Sequence, residues 1–83
     1  MNKWIIAGVI GHDFDEIDKG LKTSIAVKDD DKNTLWVRVF LFGKNADNAK
    51  QWLKKGSKVI VEGKMSLTKA DNPVLIAERV EYL

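Results

Sequence analysis

LWVRVFLFGKNADNAKQWLKKGSKVIVEGKM, residues 35–65, is the stretch that decides the fold. Its first eight residues alternate, with Leu35, Val37, Val39 and Leu41 at one parity and Trp36, Arg38, Phe40 and Phe42 at the other. Successive side chains of an extended chain point to opposite sides, so this is a strand with one aliphatic face and one face of flat rings and a guanidinium. Gly43 breaks the strand. In the following NADNAKQWLKKG the period becomes helical, and Ala46, Ala49, Trp52 and Leu53 form the expected buried stripe, with Trp52 a core residue plugging one end of the structure. Asn45 or Asp47 is expected to cap the first turn and Gly56 to end the helix, which puts Lys54 and Lys55 in the last turn, where they complement the helix dipole. From Lys58 to Met65 the alternation returns, Val59, Val61 and Met65 against Lys58, Ile60, Glu62 and Lys64.

Outward from this core, residues 2–10 predict a first strand with isoleucine and valine at both parities, either buried on two sides or curled at a barrel seam, with Gly8 and Gly11 permitting a tight bend. GHDFDEIDKG, residues 11–20, is acidic and bracketed by glycines and reads as a loop. Residues 21–28 form a second strand, Leu21, Thr23, Ile25 and Val27 on one face and Lys22, Ser24, Ala26 and Lys28 on the other. DDDKN, residues 29–33, predicts the turn of a hairpin. Its aspartates lack the glycine and distal glutamate of a calcium loop, so no metal site is expected. SLTKADN, residues 66–72, is a polar connection, and a last strand begins at Pro73, where a missing amide proton is tolerated.

The sum is an all-β domain of five strands spanning residues 1–83, with one α-helix between strands 3 and 4. Five short strands must hide their edges, and a helix at this place is the arrangement of the OB-fold barrel; an open sandwich or another small barrel is the alternative. Eighty-three residues support one modest core. At 45% hydrophobic and 31% charged the composition is that of an ordinary globular domain. The apolar run from Trp4 to Ile10 is far too short to cross a bilayer and only Lys3 precedes it as charge, so neither a membrane span nor a signal peptide is expected, and the location expected is cytoplasmic. With no cysteine and one histidine, thiolate chemistry is excluded and metal chemistry limited. The net charge of +2 is unevenly spread: residues 1–20 hold two lysines against Asp13, Asp15, Glu16 and Asp18, and the other twelve basic residues lie beyond. Such basicity is also what a solvated surface carries, and only its combination with the aromatic face points to a polyanion with stackable bases.

The residues then resemble a known family, the bacterial single-stranded DNA-binding proteins. NKWIIAGVIGHD at residues 2–13 is similar to the family's opening strand, and TLWVRVFLFGKNADNAKQWLKKGSKVIVEGKM at residues 34–65 to its central strand, helix and fourth strand, with FGK, the KKGS turn and VEG the more specific marks. The resemblance places Trp36 and Phe42 at the family's stacking positions, and Arg38, Lys44 and Lys3 at positions that are basic near bound strand. The chain departs from the family at residues 29–33 and 66–72, which are shorter and lack the usual aromatics. It also ends at Leu83 without the acidic tail through which the family recruits other replication proteins. The expectation is a minimal DNA-binding core, phage-borne, plasmid-borne or cut at the end of the barrel.

The function expected is sequence-independent binding and protection of single-stranded DNA in replication, recombination or repair. Trp36 and Phe42 stack bases, Arg38 stacks or pairs with phosphate, Lys22, Lys28, Lys44 and Lys64 track the backbone, and Phe40 shares the face. RNA stays open as a ligand, since stacking tolerates either sugar. Few platforms per chain imply a homodimer or homotetramer. For Trp36 and the phenylalanines the competing role is an oligomer interface, and Trp4 is open between core, interface and binding edge. His12 reads as an exposed loop residue. A second class of function is a protein-binding module or primosome adaptor derived from the same family. An enzyme is not expected, because Ser24, Ser57 and Ser66 have no evident histidine partner and no phosphate-binding loop is present; no cofactor is expected.

Overall fold

The computed structural model describes residues 1–28 and 33–83. The turn expected at Asp29–Asn33, and the acidic cluster within it, therefore lie outside the described residues apart from Asn33. The elements are β1 (Trp4–Ile10), β2 (Asp15–Ile17), β3 (Gly20–Lys28), β4 (Thr34–Phe42), α1 (Lys44–Trp52), β5 (Lys58–Leu67) and β6 (Pro73–Tyr82).

The hydrogen-bonded order is β1-β5-β6-β4-β3-β2, and a further pairing of β1 with β3 closes the sheet. β1, β3, β4, β5 and β6 thus form the expected five-stranded barrel, with α1 after the third of them. The barrel is mixed. All pairings are antiparallel except β4 with β6, which meet in parallel only at Val39↔Leu75 and Phe40↔Ile76. Closure on the other side is equally brief, at Val9↔Ala26 and Ile10↔Ile25. Between these seams β3 and β4 run together for their whole length, from Gly20↔Phe42 to Lys28↔Thr34.

The inward parity builds the core: Leu21 and Ile25 from β3, Val39 and Leu41 from β4, Val59 and Val61 from β5, Leu75 and Ala77 from β6. Burying each of the larger aliphatic side chains contributes about 1.5–3 kcal/mol. Thr23, the one buried polar side chain among the described residues, donates its hydroxyl to the His12 carbonyl at 3.0 Å, so its burial leaves no unmet hydrogen bond. Leu35 keeps its expected face but is not buried. It is half exposed because the distal end of the β3–β4 hairpin extends past both seams, beyond the reach of the core.

Of the two roles expected for β1, the structure has the seam. Ile5 is 64% exposed and Trp4 half exposed, so the strand is not buried on two sides. Gly8 lies where β1 crosses onto β3, and a Cβ there would overlap the Ala26 carbonyl oxygen. The acidic segment expected to be a loop contains β2, which pairs with the start of β3 through Asp15↔Lys22 and Ile17↔Gly20. Lys19 turns that hairpin in the left-handed region, at φ 65°.

The helix departs most from expectation. Ala46, Ala49 and Leu53 are buried, but Trp52 is 63% exposed and is not a core plug. Two alanines let the helix approach the barrel closely, and Trp52 lies 60° beyond Ala49 at helical spacing, off the contact stripe. No side chain caps the N-terminus, where Gly43 takes φ 59°. Asn45 instead donates its amide to the Ala77 and Glu78 carbonyls, both at 3.3 Å, and ties α1 to β6. The chain leaves the helix at Leu53, so Lys54, Lys55 and Gly56 fall in the following turn, and Lys50 is the basic residue of the last helical turn. Lys50 pairs with Glu16 at 2.9 Å, a hydrogen bond and charge that raise the Lys50 ammonium above its usual range.

β5 and β6 pair along almost their full lengths, with a register shift between Glu62 and Gly63. A Cβ on Gly63 would overlap the Ile76 carbonyl oxygen, so the irregularity requires glycine. Gly63→Ala is expected to lower stability by about 1–3 kcal/mol through forced separation of β5 from β6. Urea unfolding followed by tryptophan fluorescence checks this, and an unchanged midpoint would contradict the close approach.

Candidate nucleic-acid interface

Because β3 and β4 commit one parity to the core, the other forms a continuous outer face. β3 contributes Lys22, Ser24, Ala26 and Lys28, and β4 contributes Trp36, Arg38, Phe40 and Phe42. The register sets a small residue opposite each large one: Ala26 faces Trp36, Ser24 faces Arg38 and Gly20 faces Phe42. Only Phe40 faces a long partner, Lys22. Bulky groups therefore project from β4 without crowding across the strand pair.

Trp36 is 62% exposed and Phe42 is 39% exposed, while Phe40 is half-buried. Phe40 and Phe42 meet edge to face, with ring centroids 6.3 Å apart and planes at 89°, a favourable aromatic geometry that fixes both rings. Two glycines lie against the exposed rings. A Cβ on Gly11 would overlap Cζ3 of Trp36, and one on Gly20 would come within 2.7 Å of Cδ1 of Phe42. The indole thus lies over bare backbone just beyond β1, and the phenyl ring over bare backbone at the start of β3. The sequence pattern marks Gly11 as a bend and Gly20 as a loop boundary, since contacts between residues 25 and 22 apart leave no local signal.

The basic residues divide into near and far. Lys22, Lys28 and Arg38 stand on the face itself, exposed to solvent. Lys44 begins α1, one residue past Gly43 and two past Phe42. Lys64 pairs with Ile76 and Ile76 with Phe40, so one row across the outer surface reads Lys22, Phe40, Ile76, Lys64. With strands about 4.8 Å apart, Lys64 lies about 10 Å from Phe40. Among the described residues none of these five cations forms an ion pair. Lys3 differs: it precedes β1, away from the β3–β4 face, and its ammonium is 3.0 Å from Glu62.

Two clefts flank Arg38. One is bounded by Trp36, Ser24, Asn72 and Pro73, and the other by His12, Asp15, Lys22, Thr23 and Ser24. Pro73 reaches the face because the β5–β6 connection is tight: Thr68 and Asn72 bond through both backbone and side chain, with Asp71 at φ 61°. Ser24 does have a histidine partner, contrary to the reading from sequence, for His12 Nε2 lies 3.1 Å from its hydroxyl. No group of three or more metal-ligating side chains occurs among the described residues, and no helix there is long and apolar enough to cross a membrane.

This geometry has counterparts. The chain matches the model of the single-strand binding protein family over residues 1–81. A single-stranded DNA-binding protein of Xanthomonas axonopodis pv. citri is 37% identical over 82 residues, covering 83% of this chain and 46% of that protein. One from Helicobacter hepaticus is 50% identical over 32 residues, covering 39% of this chain and 19% of the relative. The chain spans less than half the length of these curated relatives. Among crystal structures, the mitochondrial single-stranded DNA binding protein Rim1 of S. cerevisiae matches with a TM-score of 0.84 at 30% identity, covering 98% of this chain and 92% of its own. The second single-stranded DNA binding protein of Mycobacterium smegmatis, at 21% identity and a TM-score of 0.82 over 98% of this chain and 87% of its own, shares the fold. With a family match over nearly its whole length and the barrel to go with it, the chain belongs to the single-strand binding protein family.

Proposed function

We propose that this chain binds single-stranded DNA without regard to sequence, along the outer face of β3 and β4. The observation that carries the reading is the exposure of Trp36 and Phe42 on one rigid face with Arg38 between them and Lys22, Lys28 and Lys44 around it. Every base has a π-face, so ring stacking holds a strand without reading it, and each stacked base contributes about 1–3 kcal/mol. The cations supply attraction along the phosphates. Lys64, at the far end of the row through Phe40, extends the path toward β5; Lys3, already neutralised by Glu62, contributes least. The role is that of a non-catalytic binding protein protecting exposed strand in replication, recombination or repair inside the cell.

Two well-exposed rings per chain give moderate affinity, and joining copies on one strand raises it through effective concentration. The chain accordingly works as a homodimer or homotetramer. The outer surface of β1 and β5, where the exposed Ile5 and part-buried Ile60 are bordered by Glu62, Arg79 and Glu81, is the ground assigned to a second copy.

Titration with an oligothymidine of about thirty bases is expected to quench tryptophan fluorescence, and the logarithm of affinity is expected to fall against the logarithm of salt. Five contacting cations correspond to a slope of about −3.5 per chain. Absence of both quenching and salt dependence would refute the reading. Trp36→Ala is expected to weaken binding by about 1–3 kcal/mol with the fold intact, whereas full retention of affinity would remove Trp36 from the stacking role. Gly11→Ala is expected to cost about 1 kcal/mol of binding by displacing the indole, and to cost nothing further in a Trp36→Ala background. Additive losses in that double-mutant cycle would mean that Gly11 acts by another route.

A further inference from the structure

The cleft beside Arg38 has a property that the stacking scheme does not use. His12 lies just past the end of β1, with Nδ1 2.8 Å from the Asp13 carbonyl oxygen and Nε2 3.1 Å from the Ser24 hydroxyl. A carbonyl oxygen only accepts, so Nδ1 carries a proton. In the neutral imidazole Nε2 is then bare and accepts the Ser24 hydroxyl hydrogen. A second proton can go only to Nε2. Once there it donates to Ser24, whose own hydrogen is released to point elsewhere.

The charges around this pair are few. Lys22 from β3, Arg38 from β4 and Asp15 from β2 line the same cleft of about 140 Å³, together with Thr23, whose hydroxyl is committed to the His12 carbonyl. Asp13 adjoins along the chain. Within the cleft the Asp15 carboxylate faces two cations, Lys22 and Arg38, and a proton on the imidazole adds a third. Along β4 the Ser24–Arg38 rung lies between the Ala26–Trp36 rung and the Lys22–Phe40 rung. On β4, Arg38 thus lies between Trp36 and Phe42, the two rings proposed to stack bases, and the cleft beside it is placed to meet the phosphates of a strand passing from one ring to the other.

We infer that His12, Ser24, Lys22 and Arg38 form a phosphate subsite for the nucleic-acid backbone, completed when His12 is protonated. The inference rests on the proposed single-strand binding. Protonation adds one positive charge and converts Ser24 from a hydroxyl that spends its hydrogen on His12 into one that donates to a phosphate oxygen. Binding and protonation then favour each other, and the strand is held more tightly as the solution becomes more acidic.

The test is the fluorescence titration with the same oligothymidine at pH 5.5 and pH 8, each at several salt concentrations, on the unsubstituted chain, His12→Gln and His12→Arg. The unsubstituted chain is expected to bind about three- to tenfold more tightly at the lower pH, with a salt slope steeper by about 0.7, the contribution of one further phosphate contact on a single strand. His12→Gln is expected to lose both differences, and His12→Arg to bind tightly at both values. As the chain has one histidine, its imidazole proton resonance is identifiable without further labelling, and it is expected to shift when the oligothymidine is added. A pH response that persists in His12→Gln, or a resonance that does not move, overturns the subsite while leaving single-strand binding intact. Failure of the unsubstituted chain to bind at either pH overturns both. Circular dichroism of each variant establishes that the barrel is retained.

Discussion

The outer face of β3 and β4 is held by what lies directly behind it. Leu21 and Ile25 alternate with Lys22, Ser24 and Ala26, and Val39 and Leu41 with Arg38, Phe40 and Phe42, so each of these outward groups is one residue from a fully buried one, whereas Trp36 and Lys28 stand where the hairpin outruns the core. A slip of one residue would turn the core outward and the rings inward, which makes the register of this pair the most strongly specified feature of the molecule. The two brief seams, β1 with β3 and β4 with β6, suffice because the long β3–β4 ladder and the long β5–β6 ladder already define two stiff halves. The seams only need to hold those halves closed around a shared core.

On that backing, the surface divides its charges by distance from the rings. The ion pairs among the described residues, Lys3 with Glu62, Lys50 with Glu16 and Arg79 with Glu81, involve no cation of the β3–β4 face. They fasten elements or neutralise surface away from it. The cations nearest the rings keep their charge available to a partner, so a net charge of only +2 is compatible with a locally basic face.

The parts of this structure legible in the sequence were those controlled by local period. The strand alternation at 35–42, the helix after Gly43 and the partition of β3 all follow from side-chain direction, which neighbours in sequence determine. The outer face of β4 was legible for the same reason, and Trp36, Arg38, Phe40 and Phe42 share it. Trp52 was misread because helical spacing fixes angles around an axis but not how wide the contact stripe is. The small Ala46 and Ala49 bring the helix close to the barrel and leave the indole outside. Leu35 keeps its parity, yet the hairpin outruns the barrel, a matter of where other strands end. β2 was hidden because an acidic three-residue strand on a surface has no apolar pattern. The pairing of His12 with Ser24, the Lys3–Glu62 pair and the glycines beneath Trp36 and Phe42 join residues far apart in sequence, and no local signal precedes them.

The contacts of Gly11 with Trp36 and of Gly20 with Phe42 bear on how such a surface can diverge. Most side-chain environments admit graded change, since a neighbour can lose or gain a methyl group and the ring resettles by a fraction of an ångström. Here the backbone already touches the ring, and the smallest addition, a single methyl, exceeds the clearance. Variation beneath the rings is therefore all or nothing. The rings themselves and the cations around them stand exposed, where a substitution meets solvent and not a backbone.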